Sequence, residues 1–361
     1  MWPTRFPDAG WTVKWGVILD GQDLTTAWAP TLIDISVTDK AGEASDSCSL
    51  TIDDTDGKVR MPAKRMPLVV MLEGARVFRG FVEKVESSGS RGAGRLLKVQ
   101  AKGFDTGGKA KEPQAFHLDD TDLDGYLTRL AQGAGIGITV DPDLGALQQD
   151  YWSADGESFI AIGERLARKF GGTFKIRGDQ AIFAKRGGGL SPGGLALGVT
   201  EAVFGENLID WSITPKDPRR KFSAGKARWF DRPSASFKES DLDFGNADLD
   251  ALHLVRTLSA DESEADAVLD ARKRDGEREG GSGSVKLDLA VGAVVEGQCR
   301  IAGARPGIDG TYLIETVKHS ASRSGGATTA LDLKQPGGGA GKDSRKAGEP
   351  AFALPSHETL G

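Results

Sequence analysis

The segment whose spacing comes nearest to phosphate chemistry runs from Gly103 to Lys109 and reads GFDTGGK. It follows a predicted strand and has the GxxxxGK spacing of a phosphate-binding loop, in which backbone amides and the lysine surround phosphate groups. That chemistry also needs a Ser or Thr after the lysine to bind magnesium, and a helix that begins there. Ala110 replaces the hydroxyl and Pro113 interrupts any helix. We therefore interpret the segment as a glycine-rich exit from a strand.

Two other segments carry part of a metal-binding or nucleophilic motif. The run from Asp53 to Gly57 spaces carboxylates as a calcium loop does, but no Glu occupies the twelfth position and no helices flank it. We expect an Asx-type turn there. The run from Gly156 to Ile160 places Ser158 as in a GxSxG nucleophile turn, but the second glycine is missing. We expect this segment to cap a helix.

Histidine, cysteine and carboxylate residues indicate no further reactive centre. The histidines show no HxH, HxxxH or HExxH spacing, and nothing selects a carboxylate pair for glycoside hydrolysis among 52 acidic residues. Cys48 and Cys299 are too far apart in sequence to indicate a disulfide framework or a zinc site, so we expect small buried residues. The sequence therefore predicts no catalytic residue, no cofactor and no metal. The four histidines are His117, His253, His319 and His357.

Composition indicates a protein rich in strands and turns. The 361 residues predict two or three domains, and 49 of them are glycine, about twice ordinary usage. A formal net charge of -6 argues against electrostatic binding to nucleic acid, which needs a basic face. The N-terminal residues lack the apolar run of a secretory signal, and no stretch approaches the ~20 apolar residues of a membrane span. We expect synthesis and folding in the cytoplasm.

Alternation of apolar and polar residues predicts a first β-domain. In the run from Leu32 to Asp39, apolar side chains at every second position alternate with Asp, Ser and Thr. Further strands, separated by turns, are predicted at residues 47–53, 68–72, 77–86 and 96–103. This spacing is typical of a small sandwich or barrel, and we assign residues 1–110 to a first β-barrel domain.

Helical periodicity then indicates a small middle domain. Thr121 to Asp124 resembles a capping box that opens a helix, and a second helix is predicted from about Asp155 to the glycines at 171 and 172. Residues 173–177 and 180–185 predict a hairpin around Gly178 and Asp179. We assign residues 111–190 to an α+β middle domain.

The rest of the sequence returns to strands. Residues 208–214 and 226–231 predict strands, and Ser259 begins a Ser-x-x-Glu capping box for a charged helix near 259–279. Residues 311–319 and 328–334 predict a closing hairpin in which His319 faces solvent. We assign 191–335 to a second β-barrel domain with the helix as an insertion, and 336–361 to a flexible Gly/Pro-rich C-terminal arm. The expected fold class is α+β, mainly β.

Apolar residues near both ends of the chain are candidate interface residues. Trp2, Phe6 and Trp11 crowd the start, where they either form an exposed docking surface or cover the open end of the first barrel. Phe352 and Leu354 stand in the C-terminal arm. We expect this arm to reach a neighbouring chain.

Taken in order, several short motifs resemble one family over about residues 15–335. Each motif is a turn or an amphipathic face and is weak alone, but their order and spacing together are specific. The sequence resembles the late control protein D family, the baseplate hubs of contractile phage tails and related tailocins. The same fold forms the base of type VI secretion spike proteins. The motifs are LDGQDLT from Leu19, DSCSLTID from Asp46, FRGFV from Phe78, GESF from Gly156, GGTF from Gly171, IDGTY from Ile308 and VKHS from Val317.

This resemblance implies a non-enzymatic structural hub that assembles as a homotrimer. Two tube-like β-barrels in each of three subunits make a pseudo-six-fold ring, which adapts the hexameric tail tube to the trimeric central spike. The implied partners are the tail tube protein, the central spike protein and other baseplate proteins, with the tape measure protein as a further candidate. Genomic DNA passes through the lumen without specific binding, in keeping with the acidic charge. The implied location is the baseplate of the virion's contractile tail, assembled in the host cytoplasm.

Two other functions are compatible with the same motifs. One is a tail-associated peptidoglycan hydrolase, which would lose its activity on mutation of a single carboxylate. The other is an effector-docking spike base of a type VI secretion-like system, which needs a long β-repeat extension. The sequence shows no such extension and no fused lysozyme-like domain after residue 335.

Overall fold

The computed structural model describes residues 10–92, 94–187, 197–217, 219, 221–247, 249–343 and 345. Within these residues strands dominate over helices, which confirms the mainly β fold class predicted from the sequence. The buried hydrophobic side chains form four clusters. The predicted domain boundaries remain a proposal.

An antiparallel sheet forms the first β-unit, our name for the strands between residues 15 and 102. The strand order is β3-β4-β7-β6-β5-β1-β2. Alternation explains the burial, because β4 buries Cys48, Leu50 and Ile52 and turns its serines and threonine outward. The elements are β1 Trp15–Leu19, β2 Gln22–Asp23, α1 Thr25–Trp28, β3 Leu32–Lys40, β4 Ser47–Asp53, β5 Pro67–Leu72, β6 Ala75–Ser90 and β7 Gly94–Lys102.

The middle region packs two amphipathic helices against short strands. The predicted hairpin at 173–185 is confirmed, because β11 and β12 pair antiparallel along their whole length. A long antiparallel pair, β8 with β10, was not predicted because its residues are mostly polar. The elements are a 3-10 helix Lys109–Lys111, β8 Pro113–Asp122, α2 Leu123–Ala134, β9 Gly137–Val140, α3 Pro142–Gly145, β10 Gln148–Ser158, α4 Phe159–Phe170, β11 Gly172–Arg177 and β12 Gln180–Lys185.

The ends of both long helices differ slightly from the sequence prediction. Asp122, not Thr121, caps α2 by accepting a hydrogen bond from the Gly125 amide at 2.8 Å. The predicted start of α4 near Asp155 is wrong, since β10 continues to Ser158 and the helix begins at the next residue. Gly171 ends α4 in the left-handed conformation at φ 63°, which glycine adopts without steric cost.

Beyond residue 197 the chain forms a second β-unit and an insertion within it. The second β-unit consists of β13, β14 and β18 to β21, whereas β15 to β17 form a separate three-stranded sheet that packs on α5. The contact buries Ala227, Trp229, Ala265 and Leu269. The elements are β13 Val199–Val203, β14 Leu208–Thr214, β15 Ala224–Asp231, β16 Ser236–Asp243, β17 Leu252–Leu254, α5 Glu262–Arg278, β18 Ser282–Asp288, β19 Gln298–Ala302, β20 Gly310–Ser322 and β21 Gly326–Gly337.

The predicted capping box of α5 is wrong. Asp261 is the N-cap and accepts a hydrogen bond from the Glu264 amide at 2.8 Å. Ser259 lies two residues earlier, where its backbone forms an isolated bridge with Trp229. An Asp side chain one residue before the helix accepts the free amides of the first turn as well as Ser does.

The two β-units repeat one another in strand order and in sequence. The order β14-β18-β21-β20-β19-β13 corresponds strand for strand, and in the same chain order, to β3-β4-β7-β6-β5-β1. The residues of β3 from Leu32 to Thr38 read LIDISVT and those of β14 from Leu208 to Thr214 read LIDWSIT, identical except at the fourth and sixth positions. One pairing differs, since β1 is antiparallel to β5 whereas β13 is parallel to β19.

Irregularities of the sheets repeat as well. β3 and β14 each have a bulge two residues into the shared motif, before Asp34 and before Asp210. β6 is bulged between Val82 and Lys84, and β20 between Ile314 and Thr316. A bulge inserts one unpaired residue and increases the local twist, so four matched bulges show that the two units share their curvature.

A single strand pairing joins the two β-units. The second half of β20 lies antiparallel to β3, with Val317 opposite Asp39, His319 opposite Val37 and Ala321 opposite Ile35. This pairing makes one continuous sheet of 13 strands across both units. We call it the internal junction.

His319 is buried, and the prediction that it faces solvent is wrong. Its side chain is 5% exposed. Alternation was correct in placing it on one face of β20, but that face is the covered one, shared with Val317 and Ala321. The residues that do face out are Lys318 and, in part, Ser320.

Candidate assembly interface

In the phosphate-loop candidate at residues 103–109, a side chain of the loop itself binds one of the loop's backbone amides. Asp105 accepts a hydrogen bond from the Gly107 amide at 3.0 Å and pairs with Arg65 at 2.6 Å. The helix that follows is only the three-residue 3-10 turn from Lys109. The segment lines a cleft of about 440 Å³ together with Arg79 and Asp179. The interpretation as a strand exit agrees with this geometry.

The other two motifs are also local backbone caps. Asp53 accepts hydrogen bonds from the Thr55 hydroxyl and amide, which lower the pKa of its carboxyl. Asp54 accepts from the Val59 amide at 3.0 Å, so these carboxylates close an Asx-rich turn. Ser158 is the N-cap of α4 and accepts from the Ala161 amide. Both outcomes are the ones expected from the sequence.

The described residues also hold no group of three or more His, Cys, Asp or Glu side chains arranged to bind a metal ion. Cys48 and Cys299 are free and buried, as predicted, and burial raises the pKa of both thiols. They therefore stay protonated and unreactive at neutral pH. Among the same described residues, no helix is both long and apolar enough to cross a membrane.

The internal junction, where β20 pairs with β3, is closely packed. Val37 is 2% exposed and Ala321 2%, because β20 covers β3. The Nδ1 atom of His319 lies 3.0 Å from the Thr329 hydroxyl, which accepts from the Ala290 amide at 2.8 Å. Burial lowers the pKa of His319 to about 4, so the imidazole is neutral at pH 7.

Charged side chains fasten one end of the internal junction to the middle region. Lys175 on β11 pairs with Asp39 and, at 2.9 Å, with Asp46, while Arg177 bonds both carboxylates. Burial and the neighbouring Asp46 raise the pKa of Asp39. Burial alone would also raise the pKa of Asp46, but Lys175 and Arg177 outweigh it and lower that pKa. The four charges sum to zero, and Lys175, Asp39 and Asp46 are mostly buried while Arg177 remains 57% exposed.

The other end of the internal junction is held through backbone groups of the first β-unit. The guanidinium of Arg323, just beyond β20, donates to the carbonyl of Ala29 at 3.1 Å and to that of Leu32 at 2.7 Å. The Arg323 amide donates to the Ile33 carbonyl at 3.0 Å. The two β-units are thus fixed relative to each other at both ends of the shared strands.

A second buried ion cluster attaches α5 to the second β-unit. Arg278 is 4% exposed and donates to Glu296 at 3.0 Å and to Glu315 at 2.6 Å. Although burial acts to lower the pKa of Arg278, the two glutamates raise it above its ordinary value. Glu315 is the residue inserted at the β20 bulge. The bulge therefore aims a carboxylate at the helix.

In contrast to the internal junction, two strand edges lack a partner among the described residues. Apart from an isolated bridge between Leu208 and Phe204, β14 pairs with β18 alone, and from Lys84 onward β6 pairs with β7 alone. Trp211 and Ile213 are half-buried, whereas their counterparts Ile35 and Val37 are almost fully buried. The open edge of a strand presents unpaired N–H and C=O groups that can pair with another chain.

Apolar side chains surround the open edge of β14. Phe204 is 56% exposed and Ile209 49%. The Phe204 ring meets that of Trp211 edge to face, with centroids 5.4 Å apart. A second exposed group lies on the outer face of the inserted sheet, where the rings of Phe230 and Phe237 meet edge to face with centroids 5.2 Å apart. Exposed aromatic clusters of this kind are typical of protein interfaces.

The interface residues chosen from the sequence are mostly outside the described part of the chain. Trp2, Phe6, Phe352 and Leu354 lie there. Trp11 is half-buried against the core of the first β-unit, with its ring 5.5 Å from that of Trp15. Sequence reasoning missed the edges of β6 and β14, although the motif shared by β3 and β14 was a signal that could have found the second of them.

Comparison with known proteins gives relatives in two phages. No family model matches the sequence. The chain is 24% identical over 359 residues to a probable baseplate hub protein of Escherichia phage 186, which covers 88% of this chain and 91% of that protein. It is 27% identical over 198 residues to a probable baseplate hub protein of Escherichia phage P2, covering 52% of this chain and 49% of that protein.

Solved structures show the same fold. A 43 kDa tail protein of prophage MuSo2 from Shewanella oneidensis superposes with a TM-score of 0.63 over 90% of this chain and 99% of its own, at 14% identity. A type VI secretion component of Escherichia coli superposes with a TM-score of 0.55 over 93% of this chain and 81% of its own, at 10% identity. The resemblance to baseplate hub proteins that the sequence predicts is confirmed, and with it the prediction of a structural baseplate hub.

Proposed function

We propose that this chain is the trimeric symmetry adapter of a contractile tail baseplate, placed between a six-fold tail tube and a three-fold spike. The observation that carries the proposal is the repeat of the β-unit within one chain. Each copy offers the same strand order twice, so three copies offer it six times. A ring built from these units presents a nearly six-fold face to a tube.

The parts that occur once in each chain supply the three-fold character. The middle region separates the two β-units, and the inserted sheet with α5 interrupts only the second of them. A ring of three copies therefore carries three inserted sheets and three middle regions. One molecule then satisfies both symmetries without changing its fold.

The proposed role needs no chemistry. The motifs that could have held a nucleotide, a calcium ion or a nucleophile are occupied by their own caps, as described above. We infer that the partners are a second and a third copy of this chain, the tail tube protein, the spike protein and other baseplate proteins, with DNA passing through the lumen. The proposed location is the virion tail, after assembly in the host cytoplasm.

Sedimentation or native mass measurement of the purified chain tests the proposal. We expect a trimer, either alone or on mixing with tube and spike proteins of the same particle. A stable monomer in every mixture would contradict it. A suspension of purified cell wall should not clear on addition of the chain, and clearing that disappears on mutation of one carboxylate would favour the hydrolase alternative.

A further inference from the structure

We propose that the open edge of β14 in one copy pairs antiparallel with the open half of β6 in the next, with Ser88 opposite Ser212. The inference rests on the proposed ring and specifies how its copies join. It commits to one partner, a second copy of this chain. The internal junction supplies the template, because β20 and β3 are the repeats of β6 and β14.

The first step is that β14 repeats β3 but lacks what covers β3. The shared motif and the shared bulge before Asp34 and Asp210 align the two strands residue by residue. Within the described residues β3 has neighbours on both sides, β4 and β20, whereas β14 has β18 on one side only. A strand that keeps the sequence of a central strand yet lies at an edge indicates a neighbour supplied by another molecule.

The second step is that β6 repeats β20. The run from Phe81 reads FVEKVESSGS and the run from Leu313 reads LIETVKHSAS, and in both strands the bulged residue is the glutamate. β7 covers one side of β6 just as β21 covers β20. The other side of β20 lies on β3, while residues 86–89 of β6 are exposed.

The third step transfers the register. Alignment on the bulges makes Ser87, Ser88 and Gly89 the counterparts of His319, Ser320 and Ala321. On the other strand Trp211, Ser212 and Ile213 correspond to Ile35, Ser36 and Val37. The internal pairs then translate into Ser87 with Ile213, Ser88 with Ser212 and Gly89 with Trp211.

Side-chain volumes fit the transferred register. At the internal junction Ala321 lies opposite Ile35, a small residue against a medium one. The corresponding pair between copies is Gly89 with Trp211, the smallest residue against the largest. Cross-strand glycine and aromatic residues are a favourable combination, because the ring covers the backbone that glycine leaves bare.

Backbone hydrogen bonds also fit, up to a defined end. At the internal junction the Ala41 amide donates to the Glu315 carbonyl, which fixes every second residue along β3 as a bonded position. The corresponding positions in β14 are Ile209, Trp211 and Ile213, followed by Pro215, which has no N–H. The proposed ladder therefore ends at Pro215, directly after the last residue of β14.

Each copy gives one β6 edge and one β14 edge, so the contact is heterologous and closes only as a ring. Its geometry should repeat that of the internal junction. Internal junctions and contacts between copies, together called seams, then alternate around the ring. This alternation is what a nearly six-fold face requires.

Disulfide trapping tests the register. The double variant Ser88→Cys/Ser212→Cys should form disulfides between copies on mild oxidation, because the two side chains lie on the same face of directly opposed strands. Mixing the two single variants should give covalent dimers only. The matched control is Ser87→Cys/Ser212→Cys, a slip of one residue that turns the thiols to opposite faces. All three serines are exposed, so no substitution disturbs a core.

Ser36→Cys/Ser320→Cys provides a positive control within one chain. We expect the Ser88/Ser212 pair to cross-link at least about tenfold faster than the Ser87/Ser212 control. The final product should be a closed ring of three covalently linked chains. If the protein is a trimer but the Ser87/Ser212 control cross-links equally well, the proposed register is wrong and the proposed trimer is still supported. A closed covalent species of another size would keep the register and overturn the trimer. A chain that stays monomeric would overturn both.

Discussion

The strands of the internal junction, β20 and β3, have repeats in β6 and β14, which lie at the open edges. At the internal junction β20 covers β3, and Val37, His319 and Ala321 are each at most 5% exposed. At the open edges the matching positions of β14 are half-buried or exposed, and those of β6 are exposed. The nearly identical strands β3 and β14 thus lie in a core in one place and at a surface edge in the other. Burial here is decided by the neighbour rather than by the strand.

The largest expected effect comes from placing a charge at the covered position. Val37→Asp should destabilise the fold by more than about 3 kcal/mol, because it buries a carboxylate with no partner opposite His319. The matched variant Ile213→Asp should cost only about 1 kcal/mol in the isolated chain, since that edge is open to water. Urea unfolding of both variants measures the difference.

Where Val37→Asp fails to fold, Val37→Ala and Ile213→Ala give the same comparison at lower cost. Equal losses of unfolding free energy at the two positions would mean that the covered and open states do not differ as described. Ile213→Asp should still abolish the cross-linking between copies.

The next effect concerns the cluster of Arg278, Glu296 and Glu315, which lies at the bulge of β20. Arg278→Ala leaves Glu296 and Glu315 buried without their cation and should cost about 3–5 kcal/mol. Arg300→Ala removes an exposed pair with Glu201 and should cost far less than Arg278→Ala. Thermal unfolding of the two variants checks this, and similar losses would show that burial is not what makes the Arg278 cluster important.

His319 should make stability fall at mildly acidic pH. Its pKa is about 4 in the folded chain, against about 6.5 when unfolded. Above pH 6.5 both states are neutral and the group has no effect. As the pH falls from 6.5 to 4 the unfolded state takes up the proton first, so stability decreases by up to about 3 kcal/mol. Unfolding free energies measured across this range should show that slope.

His319→Gln is the matched variant for this pH dependence. Glutamine does not titrate, so the part of the slope due to His319 should disappear between pH 6.5 and 4, while the contributions of Asp39 and Asp46 stay. An unchanged slope would place the effect on other groups. Ser87 occupies the corresponding place in β6 and gives the open edge no such dependence.

The smallest expected effect comes from making the open strand identical to the covered one. Trp211→Ile with Ile213→Val converts LIDWSIT into LIDISVT. The unfolding free energy of the isolated chain should change by less than about 1 kcal/mol, because both positions are half-buried. Assembly should weaken, since Gly89 loses an aromatic partner worth about 0.2–1 kcal/mol. Sedimentation at several concentrations would detect the shift, and tighter assembly would contradict the proposed pairing.

Sequence patterns predicted many strands of the two β-units, because alternation is a property of residue types, but they did not mark β1 or β13. They placed β3 and β4 within one residue and the closing hairpin within three. They did not show which face a strand turns to the core, which is why His319 was assigned to solvent. They also missed β8 and β10, whose polar residues carry little alternation.

The open edges of β6 and β14 could not be predicted from residue patterns, for a related reason. An open edge is a matter of backbone groups, and a backbone has the same composition whether or not it is paired. The repeat of β3 in β14 was visible in the sequence, but its meaning depends on knowing that β20 covers one copy and nothing described covers the other. The bulges at Glu83 and Glu315, which set the register, have no signature in residue type.

The internal junction has a kinetic consequence. In the proposed ring, half of the seams lie within single chains, so they form at an effective concentration on the order of millimolar whatever the cellular amount of protein. Only the remaining seams depend on collisions between molecules. A tube-like ring assembled from six separate units would need five encounters instead of two, and a ring missing one unit could not arise from whole chains. Duplication of the β-unit in one polypeptide thus makes nucleation of the ring faster and its count of units even.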